Sequence, residues 1–86
     1  MRGSGRRVSV DKIKQILVQH GRLSSDISTL ENSSDLYNAG LTSLATVGLM
    51  LALEDEFDIE FPDSMLSRKT FSSIESIHDA IEELQQ

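Results

Sequence analysis

The sequence predicts an all-helical domain. Three observations carry this expectation. Apolar residues recur at helical spacing in separate runs, hydroxyl residues stand where those runs would start, and 86 residues make one small domain with a modest core. Four helices are expected, the third of them short.

The first helix is expected over Ser9–His20. Val10, Ile13, Ile16, Leu17 and His20 share one face, with Asp11, Lys12, Lys14, Gln15 and Gln19 on the other. Ser9 suits the N-cap and Gly21 a C′ stop. Residues 22–42 read as a long first loop rich in Ser, Asn, Asp and Thr, anchored by Leu23, Ile27, Leu30, Leu36 and Leu41. A loop of this length needs turns of its own or a functional reason.

The second helix is expected over Ser43–Phe57, with Thr42 as N-cap. Its apolar residues form two stripes. Leu49, Met50, Leu53 and Phe57, with Thr46, make an ordinary core face. Leu44, Val47 and Leu51 lie on the other side, beside Gly48 and at the Ser43 end. That is more apolar surface than one core face needs. Two readings stand equal: burial against the loop or the third helix, or a patch that contacts a partner or cargo.

Asp58–Phe61 reads as an extended connector, and Pro62 suits the start of a short third helix over Asp63–Arg68. Ser72-Ser73-Ile74-Glu75 has the S-x-x-E form of a capping box. The fourth helix is expected over Ser73–Leu84, with Ile74, Ile77, Ile81 and Leu84 as its core stripe. Leu53, Phe57, Ile77 and Ile81 are expected to be buried.

Composition excludes several functions. Without cysteine there is no disulfide framework and no thiolate metal site, and any thiol chemistry must come from an attached group. His20 and His78 stand apart, so no metal centre is expected. The acidic stretch around Glu54–Asp63 is no EF-hand loop, because no glycine follows Gly48. No apolar run approaches the ~20 residues of a membrane span. No signal-peptide pattern appears, and the expected location is the cytoplasm. Residues 1–22 carry a net charge of +5 and residues 23–86 a net charge of −11. An acidic body repels nucleic acid and suits basic protein partners. Met1–Gly5 reads as a vector-derived leader or a loose end. Residues 1–7 are therefore set aside as a disordered leader or tag remnant, and 8–86 form the expected domain.

The chemistry concentrates in Asp35-Leu36-Tyr37-Asn38-Ala39-Gly40-Leu41-Thr42-Ser43-Leu44. Ser43 falls at a helix start, just after a glycine-bearing loop. Unpaired N–H groups and the positive dipole end suit a phosphate there, so Ser43 is well placed to carry a phosphodiester. A G-x-S-x-G nucleophile elbow is absent, since Leu41 and Ala45 occupy the glycine positions. A chain this small offers no evident substrate cavity, which argues against a hydrolase. A bare serine in such a string is more often a simple helix-start residue, and the surrounding context is what makes the signal specific.

From about Val8 to Leu84 the chain resembles the acyl/peptidyl carrier protein family. The resemblance rests on Asp35-Leu36, Gly40-Leu41, Ser43-Leu44, Val47, Glu54-x-Glu56-Phe57, Ile59-x-Phe61-Pro62 and Phe71…Ile74…Ile77. It implies an acyl carrier protein-like, up-down four-helix bundle. It also implies Ser43 as the attachment site of a 4′-phosphopantetheine arm, transferred from coenzyme A by a phosphopantetheinyl transferase. The arm's thiol would hold a carboxylic acid as a thioester, and the carrier itself would catalyse nothing.

The chain departs from fatty-acid carriers at three positions. These usually read Asp-Ser-Leu at the attachment site and are commonly acidic at two further positions on the second helix; here the three residues are Thr42, Ala45 and Gly48. Enzymes that read this helix through charge would dock weakly. Ala39–Ser43, Asp58–Asp63 and Arg68-Lys69-Thr70-Phe71 look closer to stand-alone aminoacyl carriers, which are charged by ligases resembling the core of seryl-tRNA synthetase. The implied cargo is an amino acid first and an acyl or polyketide unit from synthase enzymes second. Leu44, Val47 and Leu51 are the candidate partner-contacting residues, and a monomer is expected. The rival of another class is a small helical interaction module that never carries an arm. The fold expectation is checked by far-UV circular dichroism: a helical spectrum is expected, and one dominated by strand would refute it.

Overall fold

The computed structural model describes residues 7–21, 23 and 27–85. Three α-helices make its frame: α1 (Val10–His20), α2 (Ser43–Phe57) and α3 (Ile74–Leu84). Single 3-10 turns lie at Ile27–Thr29 and Asp63–Met65, and there is no strand among the described residues. The expected leader falls mostly on residues 1–6, outside the described residues; Arg7 is exposed.

Each α-helix starts on a hydroxyl side chain that accepts an N–H from the first turn. Ser9 Oγ takes Lys12 N at 3.2 Å, Thr42 Oγ1 takes Ala45 N at 3.0 Å, and Ser73 Oγ takes Ser76 N at 3.0 Å. At the other end of α1, Gly21 keeps right-handed helical geometry (φ −78°, ψ −26°) and donates to Leu17 O at 2.7 Å. α1 thus stops at Gly21 as expected, without a left-handed residue. A Cβ there would lie 2.8 Å from the Leu17 carbonyl oxygen, so the close approach asks for glycine. α2 ends instead on Asp58, the one non-glycine residue at positive φ among the described residues (φ 54°, ψ 50°). Its N–H and that of Ile59 both return to Glu54 O, the left-handed way of closing a helix.

The core is the meeting of three helical stripes. Ile13, Ile16 and Leu17 of α1, Leu49, Leu53 and Phe57 of α2, and Ile74, Ile77 and Ile81 of α3 are buried together. α1 packs on both α2 and α3. Leu36 and Leu41 of the loop and Phe61 and Phe71 of the second connection close the ends. The two phenylalanines meet edge to face, with ring centroids 5.4 Å apart. Leu23, Ile27 and Leu30 are half-buried against the same core. All four residues expected to be buried, Leu53, Phe57, Ile77 and Ile81, are so.

Two expectations need correction. The segment expected as a third helix winds only one 3-10 turn: Met65 N reaches Pro62 O, Leu66 N reaches Asp63 O, and Leu66 then leaves helical geometry (φ −87°, ψ 67°). None of its residues is fully buried and Met65 alone of the segment packs against the core, so little packing repays the cost of starting a longer helix. The capping box is also shifted by one residue. Ser73, not Ser72, is the N-cap. The main chain around Ser72 and Glu75 is engaged by the long loop: Leu36 N donates to Ser72 O at 2.7 Å, and Glu75 N donates to Asn32 O at 2.9 Å. Ser72 Oγ turns back to Lys69 O.

Leu53→Ala and Ile77→Ala should each cost about 2–5 kcal/mol, read from urea unfolding. Ser73→Ala should cost about 1 kcal/mol by loss of the cap, and more than Ser72→Ala.

Candidate functional site

The loop reaches α2 through a tight local closure. Asp35 Oδ1 accepts from Tyr37 N at 3.0 Å and from Asn38 N at 3.4 Å, an Asx-type turn. Leu41 N then returns to Leu36 O at 3.0 Å, and Gly40 sits at φ 117°, which suits glycine alone. Leu36, Ala39 and Leu41 are buried beneath this turn. The chain is thereby delivered to Thr42 in one orientation.

Thr42 does the capping. Its hydroxyl takes Ala45 N, and its carbonyl takes Thr46 N at 2.9 Å and the Thr46 hydroxyl at 2.7 Å. Ser43, the first residue of α2, is exposed, and among the described residues nothing hydrogen-bonds its side chain. No acid stands in the first turn. A phosphoryl group on Ser43 Oγ would meet the positive end of a 15-residue helix without carboxylate repulsion from that turn.

Ser43 opens onto a groove of about 340 Å³. α2 contributes Ser43, Thr46, Val47 and Met50; the loop contributes Tyr37; the second connection contributes Leu66, Ser67, Arg68 and Phe71. The Arg68 guanidinium carbon lies 4.1 Å above the centre of the Tyr37 ring. Sequence reasoning singled out neither Tyr37 nor Arg68 as groove residues. They lie 31 positions apart and meet only through the fold.

The second stripe of α2 is not core. Leu44 is 84% exposed, Val47 51% and Leu51 55%. A Cβ added at Gly48, on the same side, would meet nothing within 4 Å. The burial reading of this stripe is overturned, because all three residues stay more than half exposed, although Val47 also lines the groove. Met50 and Met65 both pack against the core, and Met50 also lines the groove.

On α3, His78, Asp79 and Glu82 bring ligand atoms within 4.8 Å of one another, with both acids exposed. Their sequence spacing places them together on any helix surface, and His78 Nδ1 is paired with Asp79 at 3.7 Å. No helix of the described residues is long and apolar enough to cross a membrane.

The family model for the phosphopantetheine attachment site matches residues 11–81. The chain belongs to that family. As a family member it takes 4′-phosphopantetheine covalently and is a carrier, not an enzyme. It is 49% identical over 69 residues to an aminoacyl carrier protein of Agrobacterium fabrum, covering 80% of this chain and 83% of that one. Among solved structures it is similar to a chain in the crystal structure of engineered Bradyrhizobium japonicum glycine:[carrier protein] ligase complexed with carrier protein from Agrobacterium tumefaciens and ATP. That likeness has a TM-score of 0.83 and 46% identity, covering 86% of this chain and 96% of the other. A chain in the Bradyrhizobium japonicum ligase structure complexed with glycylated carrier protein is similar at TM-score 0.63 and 34% identity, covering 83% of this carrier and 90% of that chain.

Thr42→Ala should cost this carrier about 1 kcal/mol through loss of the cap, whereas Ser43→Ala should change stability by less than about 0.5 kcal/mol. Gly48→Ala should stabilise it by about 0.5–1 kcal/mol, since the added methyl meets open space. Chemical unfolding checks all three.

Proposed function

We propose that Ser43 holds the 4′-phosphopantetheine arm and that the arm carries an amino acid. The observation that supports the attachment is the division of tasks at the start of α2. Thr42 completes the cap, so Ser43 Oγ is exposed and uncommitted on the wall of a groove. A phosphopantetheinyl transferase can reach that oxygen without dismantling the helix start. Once in place, the arm supplies a thiol that holds a carboxylic acid as an activated thioester. The chain's own contribution is to bind, orient and present: α2 offers its N-terminal dipole and the groove offers a wall. Tethering confines the cargo near the carrier and raises its local concentration for successive enzymes.

The cargo reading rests on two supports. Thr42, Ala45 and Gly48 leave the upper part of α2 without the acids that charge-reading fatty-acid enzymes use. The similar proteins are an aminoacyl carrier and carriers bound to glycine ligases. The partner on this reading is an amino acid:carrier protein ligase, docking on the uncharged, exposed Leu44, Val47 and Leu51. One observation favours a second reading, an acyl or polyketide carrier: the groove between Met50, Leu66 and Phe71 could shelter a short acyl chain. Family membership sets aside an interaction module that never carries an arm. Three finer expectations belong to the same proposal: the Asp63–Arg68 segment as counterpart of a short third helix, a monomeric state and a cytoplasmic setting.

Incubation with coenzyme A and a broad-specificity transferase should raise the intact mass by one phosphopantetheine, and Ser43→Ala should abolish the gain; full modification of that variant refutes the site. Amino acids, ATP and candidate ligases should give an aminoacyl thioester on the arm-bearing protein. Efficient fatty-acyl loading with no aminoacyl product overturns the cargo. Val47→Asp should leave the helical spectrum intact and impair charging, and undiminished charging argues against docking at the stripe.

A further inference from the structure

Beyond residue 22 this chain carries thirteen acidic residues and two cations, Arg68 and Lys69. One of the two cations stands on the groove that Ser43 enters. Arg68 is exposed, and among the described residues it forms no ion pair. The face of its guanidinium is occupied, at 4.1 Å from the Tyr37 ring centre. Stacking engages the plane of the group and leaves the N–H edges free, and those edges match two phosphate oxygens at once. Tyr37 is itself held by the Asp35 turn, through the 3.0 Å bond from its N–H. The stack therefore holds this cation on the groove wall, and no hydrogen bond or ion pair among the described residues uses its donors.

The groove wall is otherwise apolar or neutral: Thr46, Val47, Met50, Leu66, Ser67 and Phe71 bring no other charge. A phosphodiester on Ser43 Oγ would add a negative charge to an already acidic body. Arg68 is the one complementary charge along that wall.

We propose that Arg68, braced by Tyr37, is the anion subsite for the phosphodiester of the arm, and that this contact lays the near end of the arm along the groove. The proposal rests on Ser43 as the attachment residue. Arg68 is a positioning residue: it orients the arm and takes no part in bond making. Because the pair is exposed, its strength falls as ionic strength rises.

The test compares apo and arm-bearing protein by NMR. Intact mass and peptide mapping first place the arm; a gain retained in Ser43→Ala, or none at all, refutes the attachment reading and this proposal with it. With the arm on Ser43, the Arg68 Nε–Hε signal, assigned by its loss in Arg68→Gln, should shift between apo and arm-bearing forms. The 31P resonance of the arm should shift on Arg68→Gln, move only partway with Arg68→Lys, and approach the Arg68→Gln position as salt is raised. Tyr37→Leu should give the same 31P change as Arg68→Gln in weaker form. A merely structural role for Arg68 would alter apo and arm-bearing spectra alike. If the arm is on Ser43 and either the Nε–Hε signal or the 31P resonance stays unchanged, the subsite is refuted while the attachment stands.

Discussion

The bond from Leu36 N–H to Ser72 O, 2.7 Å long, joins the long loop to the entrance of α3, and the side chain of Leu36 is wholly buried beside it. Glu75 N–H adds a second tie to Asn32 O at 2.9 Å. Everything at the Ser43 end depends on this pair. The Asp35 turn, the Gly40 reversal and the buried Leu41 are fixed relative to the core because Leu36 is fixed. Thr42 then starts α2 at one place, and Ser43 and the groove follow. A main-chain bond shielded by an apolar side chain is a durable anchor, since neither partner has water as an easy alternative.

α2 shows how one helix serves two surroundings. Its inner stripe, Leu49, Leu53 and Phe57, belongs to the core, while Leu44, Val47 and Leu51 stay exposed. Packing holds the helix through the first stripe, so the second is free to vary with whatever it meets. The same separation holds at the helix start. Thr42 satisfies the first-turn N–H of Ala45 without charge, which leaves the dipole end and the Ser43 oxygen undisturbed.

Much of this was legible in the sequence, for physical reasons. The three α-helices follow from local pattern, and the caps at Ser9, Thr42 and Ser73 follow from hydroxyls at pattern starts. Ser43 stood out because its signals are local too. What failed was decided by distant contacts. Local pattern favours Ser72, which has the capping-box Glu75, yet Ser73 is the cap, and the loop engages Ser72 O and Glu75 N. Asp63–Arg68 has the proline start of a helix but only Met65 to pack against the core, so it stops after one turn. The exposure of the second stripe could not be read because its composition alone fits a core equally well. Tyr37 and Arg68 come from separate connections, and no spacing rule links a loop tyrosine to an arginine 31 residues on.

The loop-to-α3 ties also bear on the order in which the chain becomes itself. Asn32 and Leu36 find their partners 43 and 36 residues further along the chain, at Glu75 and Ser72. Such contacts close late, because long stretches of chain must be ordered before they are rewarded. The turn that presents Ser43 closes on local bonds, but it is tied to the rest of the fold only when α3 has docked. A partly folded chain holds the same serine but not the same setting, so an enzyme that reads the setting reads the completed fold.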